Sequence, residues 1–137
     1  MAAFVRFEKF SEDLAEKVHN LDTDILRIYL SNTTPNVATH TVKADLAEIA
    51  GGNGYTAGGE DTLNLTSRAG LVTSVVGTDV VWTGSGAGFG PARYVVLYNN
   101  TAVGNPLIGY WDRGESVTVF ASETWTTDFG ASMFTVG

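Results

Sequence analysis

The sequence predicts a mainly β protein, a single-domain antiparallel β-sandwich or jelly-roll-like barrel with a short N-terminal helix. Short runs rich in Val, Thr, Tyr and Trp recur from Ile25 to the C-terminus, separated by glycine-rich or polar turns. The runs lack an intervening amphipathic segment long enough for a helical crossover, which disfavours a parallel α/β sheet. The 137 residues suit one hydrophobic core, so residues 1–137 are expected to form one β-rich domain.

The N-terminal helix is predicted to begin at Ser11, whose hydroxyl can cap the free amides of the first turn. Leu14 and Val18 fall four residues apart on one face. His19 then stands at the predicted end, where the helix dipole favours a cationic imidazole. A second helical turn is predicted over 44–50, too short to be stable without tertiary contacts.

Strands are predicted where residues alternate between two faces or where β-branched residues cluster. The first covers 25–30, and a glycine-rich loop follows at 51–59, where five of nine residues are Gly. The later strands are predicted over 62–67, 71–76, 80–83, 94–98, 107–111, 116–121, 124–129 and 133–136. The glycines at 84–90 are predicted as a long flexible connection, because a strand follows them where a phosphate-binding loop needs a helix.

Composition and charge narrow the function classes. The chain has no cysteine, which excludes disulfides, thiolate metal sites and cysteine nucleophiles. With a net charge of -7, the protein lacks the positive electrostatic field that attracts nucleic acid or anionic lipid. Neither is therefore expected as a partner. Charges interrupt the first twenty residues, so neither a signal peptide nor a membrane span is expected, and synthesis is expected in the host cytoplasm.

The sequence does not predict a catalytic, cofactor or metal site. His19 and His40 are the only histidines, and no nucleophile motif accompanies them. The acidic pairs are best explained as solvated surface, with adventitious calcium at Asp22, Asp24 or Glu60 as the alternative. We therefore expect a protein that is not an enzyme and needs no cofactor.

Aromatic side chains are the candidates for partner contact. Residues 1–10 are predicted as an N-terminal arm, because three phenylalanines recur there at every third position with charges between them. The alternative is that this arm packs on its own domain. The predicted partner-binding residues are Phe4, Phe7, Phe10, Tyr55 and Trp111.

Three tryptophans, Trp82, Trp111 and Trp125, allow two interpretations. Their rings could form a sugar-binding platform, as large aromatics often anchor contacts. They could equally fill the core, which is favoured because a β domain of this size needs large rings inside.

Four segments, taken in order, carry a resemblance to a known group of proteins. They are LAEKVHNLDTDILRIYLSNTTP, ADLAEIAGGNGYTAGG, VVWTGSGAGFGPARYVVLYNN and LIGYWDRGESVTVFASETWTTDF. Together they cover nearly the whole chain, which resembles small virion structural proteins of tailed bacteriophages. The resemblance implies a compact β fold in the phage head or tail, with no catalytic residues to carry over.

The predicted function is therefore that of a non-enzymatic phage virion structural protein. The leading interpretation is a capsid decoration or cement protein on the virion surface, which binds the major capsid protein and stabilises the shell. Alternatives are a tail or head–tail connector component that binds other virion proteins, and a carbohydrate-binding adhesion module. Homo-oligomerisation is left open.

Overall fold

Ten strands, one α-helix and one 3-10 turn make up the chain, and the computed structural model describes residues 1–137. The fold is mainly β, with antiparallel sheets and one short helix near the N-terminus, which confirms the predicted fold class. In chain order the elements are β1 (Val5–Arg6), α1 (Glu8–Ala15), β2 (Leu26–Ser31), the 3-10 turn (Lys43–Asp45), β3 (Glu60–Asp61), β4 (Leu65–Ala69), β5 (Val72–Val76), β6 (Val81–Thr83), β7 (Phe89–Asn99), β8 (Leu107–Val119), β9 (Thr124–Thr126) and β10 (Phe134–Val136).

These strands form three antiparallel sheets. The largest has the order β1-β8-β7-β2-β3, a second has the order β10-β5-β4, and β6 pairs with β9. Strands that follow each other in the chain pair directly in three cases, β2 with β3, β4 with β5 and β7 with β8. The last two pairs are joined by short connections. Short turns are enough for such hairpins, in agreement with the turn residues in the sequence.

The five-stranded sheet is buried on both faces. Along β7, Val95 and Leu97 belong to the larger core cluster, while Val96 and Tyr98 belong to a smaller cluster. This split follows from the alternation of side chains along a strand. Leu46, from the long connection between β2 and β3, closes the smaller cluster. The sheet is therefore a rigid platform from which loops project.

The helix α1 begins three residues earlier than predicted. Phe7 precedes it in an extended conformation, and the Ser11 hydroxyl donates to the Glu8 carbonyl instead of capping the helix start. Phe10, inside the first turns, is fully buried. The predicted start at Ser11 is wrong because packing of this ring outweighs the preference for a serine cap.

A single 3-10 turn, Lys43–Asp45, overlaps only the first two residues of the helical turn predicted over 44–50. The Asp45 carboxylate accepts hydrogen bonds from the amides of Thr41 and Val42, which fixes this turn. These bonds also lower the pKa of the Asp45 carboxyl. Leu46 then continues in an extended conformation into the smaller core cluster, so the rest of the predicted turn is not helical.

The two strands predicted between 107 and 121 form one strand, β8, which a bulge interrupts. Ala92 of β7 pairs with Val117 of β8. The next pair joins Tyr94 to Asp112, so β7 advances two residues while β8 advances five. Residues 113–116 of β8 have no partner in the ladder and bulge out of it, and we call them the β8 bulge.

The glycines at 84–90, predicted as a flexible connection, instead pack tightly against the end of β8. A β-carbon at Gly84 would overlap the carbonyl oxygen of Phe120, and one at Gly88 would overlap that of Val119. β7 begins within this segment. The glycines are therefore needed for close approach of two backbones rather than for freedom of movement.

Residues 4–10 pack on the chain's own core, whereas Met1, Ala2 and Ala3 are exposed. Val5 pairs with Tyr110 of β8 in an antiparallel ladder. Phe7 and Phe10 are buried, at 2% and 0% exposure. The burial of these rings holds the segment down, which corrects the predicted arm and supports the alternative that it packs on its own domain.

Candidate interaction surface

The five aromatic residues predicted to contact a partner lie in the interior. Phe7, Phe10, Tyr55 and Trp111 are at most 4% exposed, and Phe4 is half-buried. The Phe4 ring stacks 4.9 Å from another core phenylalanine. Rings of this size stabilise the core through buried area, which leaves them little surface for a partner. Their role in partner binding stays a prediction, and the exposed surface for contact must be sought elsewhere on the chain.

The three tryptophans are core residues, as the favoured interpretation predicts. Trp82 and Trp125 face each other across β6 and β9, and both are 2% exposed. Trp111 packs on Phe129 with ring centres 5.2 Å apart. None of the three presents an open ring face on which a sugar could stack.

A polar network joins the glycine-rich loop to the five-stranded sheet. The Glu48 carboxylate accepts hydrogen bonds from the Tyr55 hydroxyl at 2.5 Å and from the Gly58 amide at 2.7 Å. It also binds the Lys43 ammonium at 2.7 Å. The Tyr55 hydroxyl in turn accepts the Leu30 amide of β2 at 3.0 Å. The loop, rich in glycine, is thus fixed in place.

The electrostatics of this network favour a structural role. Burial raises the pKa of the Tyr55 phenol, and the hydrogen bond to Glu48 raises it further. The phenol therefore remains a protonated donor to Glu48. Lys43 also lies 4.7 Å from the centre of the Tyr29 ring. These side chains bind one another, so the network holds the glycine-rich loop at 51–59 against the sheet.

His19 lies beyond the end of α1 and is buried, at 6% exposure. The Asn99 side-chain nitrogen lies 3.0 Å from His19 Nδ1 and 2.7 Å from Asp24 Oδ2. Burial lowers the pKa of His19, and the charges of Asp13 and Asp24 oppose this effect. The predicted role of a cationic helix cap is therefore wrong, because desolvation disfavours the charged ring.

The β8 bulge borders a cavity of about 340 Å³, lined in part by Trp111 and Trp125. Asp112, at its edge, forms an ion pair with Arg93 at 2.8 Å, and this hydrogen bond lowers the pKa of Asp112. The Arg113 guanidinium covers the Trp125 ring at 4.9 Å. Asp112 and Arg113 thus bind within the chain, and Arg113 covers the Trp125 ring that a sugar would need.

The acidic pairs serve as local caps of loops. Asp22 accepts the Thr66 amide at 3.0 Å, and Asp24 accepts the Asn20 amide at 2.9 Å. Glu60 lies in β3, opposite Ile28 of β2. No group of three His, Cys, Asp or Glu side chains is arranged to hold a metal ion.

Three apolar side chains project from neighbouring loops at one end of the five-stranded sheet. Val103 is fully exposed, and Leu63 and Ile25 are 65% and 42% exposed. Leu26 donates its amide to Asn64 Oδ1 and accepts the Thr62 amide, both at 3.0 Å, so the residues next to Ile25 and Leu63 are joined. The Ile25 amide donates to Thr101 Oγ1 at 2.8 Å, which ties it to the loop of Val103. We call Ile25, Leu63 and Val103 the apolar tip.

The residues of the apolar tip are not among the predicted contact residues, although the sequence contains a signal for them. Val103 stands alone among the Asn, Thr, Ala and Gly residues of 99–105, and Leu63 stands between Thr62 and Asn64. A single aliphatic residue inside a polar turn has little chance of reaching the core. Such residues are candidates for contact with a partner.

Comparisons of the chain with protein-family models, curated proteins and solved structures find no match. No helix of the fold is long and apolar enough to cross a membrane. The function of this protein is therefore inferred from its surface and from its sequence motifs.

Proposed function

We propose that this protein is a non-enzymatic virion structural protein of a tailed bacteriophage, a capsid decoration protein that binds the assembled major capsid protein. The apolar tip carries the proposal, together with the order of motifs that resembles small virion proteins. Apolar side chains that project side by side mark surfaces for protein partners. Their place at the end of a rigid sheet suits docking onto a larger assembly.

Charge around the apolar tip indicates the kind of surface it binds. Asp22, Asp24 and Asp61 lie in or beside the loops that carry Ile25 and Leu63. The chain as a whole carries a net charge of -7. A partner with an apolar pocket and a basic rim complements this surface and draws the protein toward it.

The rigidity of the fold supports binding through a preformed surface. The N-terminal segment is held by β1, and the glycine-rich loop is clamped by Glu48. A preformed surface loses little conformational entropy on binding. Many such contacts on a lattice stabilise the assembled shell, because each copy binds only the assembled state.

Cosedimentation with expanded, DNA-free capsids tests this function. The capsids are assembled from the major capsid protein of the phage whose genome encodes this chain. Wild-type protein is expected to sediment with them, and the double variant Leu63→Asp/Val103→Asp is expected to stay in the supernatant. Val81→Asp is the matched control, because Val81 is 55% exposed on β6, outside the apolar tip.

Two results would overturn the proposal. One is wild-type protein that does not sediment with capsids but does sediment with purified tails, which would favour the connector alternative. The other is equal loss of capsid binding in Val81→Asp and in the double variant. Circular dichroism of all three proteins establishes that each is folded.

A further inference from the structure

The three-stranded sheet has one face without a charged residue. Its other face contributes Val75 and Phe134 to the larger core cluster. Alternation along β4, β5 and β10 directs every second side chain to the opposite face, and each side chain on that face is exposed or half-buried. These outward residues, which we call the neutral face, are Leu65, Ser67, Ala69, Val72, Ser74, Val76 and Thr135.

The absence of charge on the neutral face matters in a chain with 15 acidic and 8 basic residues. Two copies with a net charge of -7 repel each other over most of their surfaces. A face without charge lets them approach without burying an unpaired charge. The centres of protein interfaces show the same depletion of charged residues.

The pattern on the neutral face repeats when the face is turned by half a rotation. β4 and β5 pair Leu65 with Val76 at one end, Ser67 with Ser74 in the middle and Ala69 with Val72 at the other end. Each end is therefore apolar and the centre is serine. A two-fold axis that lies in the plane of contact and passes the serine pair places the apolar ends of one copy on the apolar ends of the other, as an isologous dimer requires.

The β4 edge, one of the two edges of the same sheet, is less suited to pairing with another chain. The Thr66 amide donates to Asp22 Oδ1 at 3.0 Å, and the Thr66 hydroxyl donates to the same oxygen at 3.1 Å. A carboxylate on an edge strand blocks the addition of a further strand. Contact through this sheet is therefore expected face to face.

We propose that the neutral face is the contact surface between two copies of this chain, packed about a two-fold axis at Ser67 and Ser74. The face offers seven residues per copy, well below the roughly 20–30 residues of a standard interface. The dimer is therefore weak in dilute solution and forms where copies are concentrated. This proposal does not depend on the proposed function, because it concerns a different surface.

Charge-swapped variants at Ser67 test the proposal. Sedimentation velocity over a range of concentrations should show a monomer–dimer equilibrium for wild-type protein. Ser67→Glu and Ser67→Lys should each raise the dimer dissociation constant by at least about tenfold, because like charges meet at the axis. An equimolar mixture of the two variants should recover the dimer. Val103→Glu, on the apolar tip, is the control and should dimerise like wild type.

Several outcomes would overturn the proposal. Wild-type protein that remains monomeric up to about 1 mM would do so, because a two-fold contact must then be too weak to form. So would a mixture that stays monomeric although both variants are folded by circular dichroism. Equal loss of the dimer in Val103→Glu would assign the contact to the apolar tip instead.

Discussion

Phe4 occupies the space that a side chain on Gly109 would need. A β-carbon at Gly109 would overlap the Phe4 ring and would lie 2.6 Å from the Val5 carbonyl oxygen. The ring instead packs on Trp111 and Phe134, with ring centres 5.0 and 4.9 Å away. Gly109 thus lets the N-terminal segment lie flat on β8, which is why this segment is not a free arm.

Gly109→Ala is expected to destabilise the fold by about 1–3 kcal/mol, because the new methyl group must displace the Phe4 ring or the β1 backbone. Phe4→Ala alone should also destabilise it, through loss of buried area. Chemical denaturation of both single variants and the double variant measures the coupling. The loss of unfolding free energy in the double variant should be smaller than the sum of the losses in the two single variants. A loss equal to that sum would show that Gly109 and Phe4 are independent.

The hydrogen bond between the Tyr55 hydroxyl and the Glu48 carboxylate is expected to stabilise the fold. Tyr55→Phe leaves the Glu48 carboxylate and the buried Leu30 amide each without one partner. The free energy of unfolding should fall by about 1–3 kcal/mol, and proteolysis within the glycine-rich loop should speed up. Tyr110→Phe is the matched control and should change stability by less. Equal effects of the two variants would argue against the clamp.

His19 predicts a pH dependence of stability. Burial lowers the pKa of His19 in the folded state, so the unfolded chain takes up this proton more readily. The free energy of unfolding should therefore fall as the pH drops below about 6.5, the ordinary pKa of histidine. His19→Gln should flatten this part of the profile, whereas His40→Gln should keep it. An NMR titration midpoint for His19 above about 6.5 would contradict the predicted shift.

The ion pair between Asp112 and Arg93 should stabilise the backbone around it more than it stabilises the whole fold. Both side chains are more than a third exposed, so Asp112→Asn should change the free energy of unfolding by no more than about 1 kcal/mol. The Asp112 carboxylate also accepts the Gly114 amide at 2.8 Å. Asp112→Ala removes this acceptor, so hydrogen exchange at Gly114 should accelerate in that variant, whereas Asp112→Asn keeps an oxygen that can accept the bond. Unchanged exchange there would show that other contacts hold the β8 bulge.

Elements set by local pattern could be predicted from the sequence. The alternation from Ile25 to Leu30 predicts β2, which forms at Leu26–Ser31. The turn at Gly70 likewise marks the β4–β5 hairpin, and its φ of 61° is one that glycine adopts easily. In both cases the decisive residues are neighbours in the chain.

Features set by distant contacts could not be predicted in this way. The spacing of Phe4, Phe7 and Phe10 is the same for a free arm and a buried segment, and the difference depends on Gly109, about a hundred residues away in the chain. The helix start and the burial of His19 depend on similar long-range packing. The apolar tip and the neutral face depend on strand register, which the sequence pattern does not specify.

The most direct test of the proposed function is calorimetry of expanded, DNA-free capsids with increasing amounts of the protein. If the protein decorates the shell, the melting temperature of the capsid should rise and then level off when the lattice sites are filled. The Leu63→Asp/Val103→Asp variant should leave the melting temperature at its undecorated value. A capsid melting temperature that wild-type protein does not change at any ratio would contradict the proposal.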